Sequence, residues 1–235
     1  MGALFSIAID GPSGAGKSTV ARAVAKRLGA MYLDTGATYR AMGLYMARHG
    51  VPLDDARAIA ENCARADIRV DYDAEGRQHV YLGDEDVTEA IRAAEISLAA
   101  SAVSAVPEVR ERMVELQREV ARGHSVVMDG RDIGTKVLPN ATLKIYLTAP
   151  AEVRARRRHL ELAQKGMNEP FQKVLAELIR RDETDTRRAA SPLRKASDAV
   201  VVDCSVMALD AVVNRVETLA REALEAKKQD ERAVL

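Results

Sequence analysis

The sequence predicts an α/β fold: a parallel sheet flanked by helices, with a small antiparallel insert and a late pair of arginine-rich helices. Three observations predict it. Short apolar runs recur between amphipathic stretches of helical length. The first two runs are joined by a glycine-rich turn and a helix, a strand–helix–strand unit whose strands lie parallel. Two further runs, at 68–72 and 78–82, alternate at period two around Asp73-Ala74-Glu75-Gly76-Arg77 and read as a hairpin.

The elements follow in order. Leu4-Phe5-Ser6-Ile7-Ala8-Ile9 is a buried strand bounded by Asp10-Gly11, and residues 18–28 form an amphipathic helix that Gly29 closes. Met31-Tyr32-Leu33 is the second strand, ending in Asp34-Thr35-Gly36. A helix over 37–49 is stopped by Gly50 and Pro52, and Asp54-Asp55 caps another over 56–64. After the hairpin, residues 83–91 make a further short strand and turn. Helices over 91–105 and 107–122 follow, the second with Pro107 in its first turn. Ser125-Val126-Val127-Met128, residues 142–147 and Ala199-Val200-Val201-Val202 are the third, fourth and fifth core strands. Between the last two lie helices at 150–166 and 169–188; a helix over 207–227 ends the fold, with a frayed charged tail to Leu235.

Composition excludes several classes. A chain of 235 residues, 47% hydrophobic and 30% charged, is globular and long enough for one well-buried core. No apolar run reaches membrane-span length, and Met1-Gly2-Ala3 leads straight into the first strand, so neither a membrane anchor nor a signal peptide is expected and the cytoplasm is the expected location. Cys63 and Cys204 lack metal-site spacing and read as free buried thiols. The four histidines, His49, His79, His124 and His159, show no ligand spacing and read as structural or exposed. Lys plus Arg balance Asp plus Glu at 35 each, and aromatics are 3% without Trp, which argues against a nucleic acid polymer as partner. Yet arginines bunch at 154–158 and 180–194, a distribution suited to a small polyanion.

The stretch after the first strand fits G-x-x-x-x-G-K-[ST]: Gly11, Pro12, Ser13, Gly14, Ala15, Gly16, Lys17, Ser18, with Thr19 beyond. Glycines let consecutive backbone N–H groups point into one concavity, and the helix N-terminus adds its free N–H groups and dipole. Lys17 would reach the β- and γ-phosphates of ATP, and the Ser18 hydroxyl would bind Mg²⁺. Asp10 and Asp129, at strand ends beside the loop, are candidates for water-mediated contact with that ion.

Five stretches in this order resemble bacterial cytidylate kinases of the nucleoside-monophosphate kinase family: GPSGAGKST at 11–19, LDTGATYR at 33–40, EDVTEAIR at 85–92, DGRDIGT at 129–135 and RDETDTRR at 181–188. The resemblance runs end to end. It implies a P-loop kinase core with a five-stranded parallel sheet (residues 1–35, 123–150 and 190–228), an inserted subdomain for the nucleoside monophosphate at about 36–122 with its hairpin at 66–92, and a helical lid at about 151–189. It implies transfer of the γ-phosphoryl group of ATP to CMP or dCMP with Mg²⁺; a monomer is expected. By the same resemblance Asp132 and Ser101 would take the cytosine amino group and Arg110 would face N3 and O2. Arg40, Arg131 and Arg188 would hold the acceptor phosphate beside Thr35, and Arg181 and Asp185 the sugar. Lys17, Arg131, Arg157, Arg158 and Arg188 would offset the charge that develops during transfer.

Plainer readings stand beside these. Residues 154–158 also fit the solvated face of a helix, and four arginines in five positions do not all face one ligand; of the lid set, Arg157 and Arg158 are the choice. Asp132 also fits a helix cap or a structural partner of Arg131, and from spacing alone Ser101 and Arg110 are as suited to a surface. A sibling kinase would share residues 11–19 with another acceptor pocket. A GTPase switch would need N-K-x-D, which the chain lacks. A nucleotide-gated binding module without turnover would leave Lys17 and the arginines unexplained.

Overall fold

Strand β1 (Ser6–Asp10) lies at the centre of a five-stranded parallel sheet. On one side stand β6 (Val126–Gly130) and then β2 (Met31–Asp34); on the other, β7 (Leu143–Thr148) and then β8 (Val200–Asp203). The computed structural model describes residues 4–233. The expected lead-in at 1–3 and the last two residues of the tail lie outside them. Successive β1 side chains go to opposite faces. Ile7 and Ile9 pack with Val20 and Val24 of α1 (Lys17–Leu28) and with Val212 and Val216 of α8 (Leu209–Ala233). Ala8 joins Val126, Met128 and Val114 on the other face, the last from α5 (Pro107–Ala121). Burial on both faces explains why these strands are continuous apolar runs.

Between β2 and α5 the chain builds a second core. Its elements are α2 (Thr35–Arg48), α3 (Ala56–Cys63), the antiparallel strands β3 (Ile68–Tyr72), β4 (Gln78–Leu82) and β5 (Glu85–Asp86), a 3₁₀ turn at Ala90–Arg92, and α4 (Ala94–Val103). Met42, Met46, Ile59, Val80, Val87, Ile91 and Met113 fill it. Helices α2 and α4 touch at Gly43, where a Cβ would sit 2.9 Å from that of Ala99. Helices α6 (Ala151–Gln164) and α7 (Phe171–Arg187) form a hairpin held by Ala155, Leu162, Val174 and Leu178.

The structure differs from expectation in several places, and the helix expected over 91–105 divides at Ala93 into the 3₁₀ turn and α4. Helix α2 starts at Thr35 because Asp34 caps it, its carboxylate accepting from Ala37 N at 3.1 Å. A π-helical turn at Ile133–Val137, for which no element was expected, follows β6. The tail is helical to Ala233 instead of fraying after Lys227; Lys, Gln and Glu suit a helix, and Lys227 donates to the Leu4 carbonyl at 2.9 Å. Cys63 and Cys204 are free and buried. Among the described residues no helix is long and apolar enough to cross a membrane.

Candidate active site

All five strands end their carboxyl termini on one edge of the sheet, and strand order reverses at β1, so the crevice opens beyond Asp10. The loop there turns on Gly11, Gly14 and Gly16, all at positive φ. A Cβ on Gly11 would lie 2.0 Å from the Leu147 carbonyl oxygen, so the loop hugs β7 as only glycine permits. No acidic residue stands in the first turn of α1, leaving its positive end uncompensated. Lys17 is buried at this end and donates to the Pro12 carbonyl at 2.7 Å. Burial, then the Arg131 guanidinium, pushes the Lys17 ammonium down to about 7, with Asp129 and Asp10 opposing.

Asp129 gathers three bonds at the foot of the loop. Its carboxylate accepts from Ser18 Oγ and from Tyr32 OH, each at 2.8 Å, and its carbonyl accepts from Thr35 Oγ1 at 2.7 Å. Burial and the neighbouring Asp34 raise its pKa. Asp10 accepts from the amides of Ile133 and Gly134 at 2.8 and 2.7 Å, anchoring the π-turn, and burial pushes it up to about 6 against those bonds. Among the described residues no three His, Cys, Asp or Glu side chains are grouped to hold a metal alone. A hydroxyl bonded to a buried carboxylate beside a phosphate loop fits a divalent ion that takes its other ligands from phosphates and water.

Across the crevice, guanidiniums converge on carboxylates. Buried Asp185 of α7 accepts from Arg131 Nε at 2.7 Å and also from Arg188. Burial alone would raise its pKa; Arg131, Arg188 and Arg181 hold it below the usual range. Arg40 bonds Asp34 at 2.6 Å. Arg110 and Asp132 form a buried pair at 2.5 Å, and Arg110 also donates to the Ser104 carbonyl at 3.1 Å. Arg181 is exposed; partial loss of hydration, and then the crowding of Arg131, Arg188 and Arg40, lowers its pKa. Among the described residues the Nε atoms of Arg40, Arg110 and Arg188 and the Tyr39 hydroxyl are buried without a partner.

The family described as Cytidylate kinase matches residues 7–222. The chain belongs to the cytidylate kinase family. It is 51% identical over 216 residues to the "Cytidylate kinase" of Pelotomaculum thermopropionicum, covering 92% of this chain and 96% of that one. It is 49% identical over 212 residues to that of Caldicellulosiruptor bescii, covering 90% and 93%. Among solved structures, a gluconokinase from Sinorhizobium meliloti is similar over 97% of this chain and 99% of its own, at 18% identity and a TM-score of 0.49. Membership of the cytidylate kinase family makes the chain an enzyme, a phosphotransferase of the (d)CMP kinase class that acts on small nucleotides.

The structure brings together Thr35, Arg40, Arg110, Arg131, Asp132, Arg181, Asp185 and Arg188 around the crevice. Ser101, in the last turn of α4, stands three residues before the C-cap Ser104; among the described residues it is joined to this network only through its carbonyl, which accepts from Ser104 Oγ at 2.9 Å. On α6, Arg154 meets the phosphate loop. It donates to the Ser13 carbonyl at 2.8 Å, to Ala149 O at 2.8 Å and to Asp182 at 2.6 Å. Asp182 also accepts from Ser13 N at 3.4 Å, so both peptide groups of Ser13 are tied to the helical hairpin. Arg157 instead reaches the Cys204 carbonyl at 2.5 Å, and Arg158 pairs with Glu161 at 2.9 Å. The sequence signal for Arg154 is its place in the first turn after Pro150, nearest the end of β7. Asp182, within RDETDTRR, has no such signal.

Proposed function

We propose that the chain transfers the γ-phosphoryl group of ATP to CMP or dCMP, giving ADP and (d)CDP. The observation that carries this reading is the group of Arg40, Arg110, Arg131, Arg181 and Arg188, three of whose Nε donors are buried without a partner among the described residues, on the crevice beside the phosphate loop. Donor and acceptor are both anions, and their approach needs this density of positive charge.

Residues 11–19 cradle the donor triphosphate and Lys17 reaches its β- and γ-oxygens. Ser18, with Asp129 behind it, would hold Mg²⁺, which would offset charge on the donor phosphates. Arg40, Arg131 and Arg188 hold the acceptor phosphate beside Thr35, while Arg181 and Asp185 face the sugar. Asp132 and Ser101 accept from the cytosine amino group, and Arg110 donates to N3 and O2, the complement that this base requires. Transfer through a loose transition state asks for alignment and charge neutralisation. The acceptor phosphate, with its second pKa at about 6, is already ionised, so no general base is needed. Arg131 and Arg188 stabilise the moving group from the acceptor side. Arg157 and Arg158 serve the donor side, carried on α6 along the flank that Arg154 ties to the loop.

In this reading residues 1–35, 123–150 and 190–228 are the core, 36–122 the acceptor subdomain and 151–189 the lid. The enzyme is a cytoplasmic monomer of pyrimidine nucleotide metabolism. A steady-state assay with ATP and Mg²⁺, offering CMP, dCMP, UMP, AMP and GMP, tests it. CMP and dCMP far ahead are expected; preference for another monophosphate overturns the acceptor pocket, and no turnover overturns the reaction.

A further inference from the structure

The small antiparallel sheet lies outside the crevice, yet it grips the strand that feeds it. Strand β2 is an outer strand of the parallel sheet. Met31 N turns inward, donating to Ser125 O at 2.9 Å, and alternation then sends the peptide groups of Tyr32 and Asp34 to the open side. Side chains meet them there in place of another strand. Tyr72 OH donates to the Tyr32 carbonyl at 3.0 Å. Gln78 Oε1 accepts from Asp34 N at 2.7 Å, while Nε2 donates to the Asp34 carbonyl at 3.3 Å. Tyr72 and Gln78 are directly opposite in the β3–β4 ladder, so the hairpin presents them side by side.

Asp34 has two further tasks. One carboxylate oxygen caps α2 at Ala37 N, and the other takes Arg40. Among the described residues Arg40 makes that single ion pair, and its Nε is buried with no partner. Its guanidinium is therefore aimed by Asp34, and Asp34 is held through its own peptide groups by one carboxamide. We propose that Gln78 is a positioning residue for the acceptor phosphate: its two bonds to Asp34 fix the Asp34–Arg40 pair that receives the monophosphate. This rests on the reading of Arg40 as a phosphate ligand. Protection of an exposed strand edge would account equally for Tyr72, but it does not explain why the bidentate contact falls on the residue that holds Arg40.

The test compares Gln78→Met, which keeps length and loses both bonds, with Tyr72→Phe, which removes a bond from the same hairpin to Tyr32. Kinetics are measured on the full chain with CMP varied at saturating ATP, and the reverse. Gln78→Met is expected to raise KM for CMP about five- to tenfold, the scale of one or two hydrogen bonds, with kcat and KM for ATP within about twofold. Tyr72→Phe is expected to leave KM for CMP within about twofold while lowering the melting temperature. If Gln78→Met does not fold, Gln78→Leu, which is uncharged and also loses both bonds, replaces it with the same expectation. An unchanged KM for CMP in the Gln78 variant, or an equal rise in both hairpin variants, overturns the inference. The reading beneath it is tested apart: a wild-type chain that does not phosphorylate CMP, or an Arg40→Met variant with unchanged KM for CMP, refutes the role of Arg40 itself.

Discussion

Replacing Asp132 separates base recognition from bracing. Asp132 and Arg110 are buried together, with side chains 6% and 4% exposed. A carboxylate has about four lone-pair sites, so Asp132 accepts from Arg110 and retains capacity for the N4 amino group of cytosine. Asp132→Ala removes that charge-assisted bond, worth about 1.5–3 kcal/mol, which is a loss of roughly 10- to 150-fold in kcat/KM for CMP. UMP carries a carbonyl oxygen at the same place, which the carboxylate repels, so its kcat/KM falls less or rises. The substitution also leaves Arg110 buried and unpaired, at a cost of about 3–5 kcal/mol against a total stability of about 5–15 kcal/mol. That second loss reduces the folded fraction and hence activity toward every acceptor. The ratio of kcat/KM for CMP to that for UMP cancels it, because both acceptors sample the same folded enzyme. Asp132→Asn keeps the volume and one acceptor, and should lower the ratio with a smaller loss of stability. Paired acceptor assays with thermal melts read both effects. A large drop in melting temperature with an unchanged CMP-to-UMP ratio in both variants would refute base reading and leave Asp132 a brace for Arg110.

Other perturbations address the donor side. With Lys17 depressed to about 7 and a triphosphate favouring its ammonium form, ATP binding should take up a proton above that pH. Its dissociation constant should weaken as pH rises from about 7, by at most tenfold per unit; calorimetry at pH 8 in buffers of different ionisation enthalpy reads the uptake, and none would contradict the assignment. Gly11→Ala places a methyl 2.0 Å from Leu147 O and should cost about 1–3 kcal/mol of strain, visible as a lower melting temperature and a raised KM for ATP. Neither change would mean that the loop does not depend on that contact. Arg154→Met keeps the apolar stem and loses the ties to Ser13, Ala149 and Asp182. It should lower kcat/KM for ATP about tenfold with KM for CMP within about twofold, and equal effects on both substrates would rule out a donor-side role.

How much of this was legible in the sequence depended on the range of the forces involved. The phosphate loop is a backbone shape, and Gly11, Gly16 and Lys17 write it into consecutive positions. The parallel strands are equally local, since burial on both faces leaves an unbroken apolar run such as Val126-Val127-Met128. The π-turn at Ile133–Val137 has no period to detect; the Asp10 carboxylate sets its start from 123 positions earlier by accepting the amide of Ile133. The choice among arginines on α6 failed to be local in the same way. Spacing puts Arg154, Arg157 and Arg158 near one another, and only the end of β7 decides which meets Ser13. Asp34 and Gln78 carry no joint signal either, because the hairpin's docking on β2 creates their contact.

A formal charge of zero and a pocket dense in arginine are consistent once each guanidinium is followed to its partner. Arg40 has Asp34, Arg110 has Asp132, Arg131 and Arg188 share Asp185, and Arg154 has Asp182. Without these carboxylates, like charges at such separations would force the arginines apart or unfold the crevice. Carboxylates that saturated every donor would instead close the pocket to phosphate. The compromise lies at the atoms: Arg40, Arg110 and Arg188 are each paired through a terminal nitrogen while Nε stays free. In the proposed reading Arg40 and Arg188 receive the acceptor phosphate and Arg110 the base, each already oriented by its carboxylate partner. Arg181, exposed and without an ion pair among the described residues, is the member of this group that no carboxylate fixes in place.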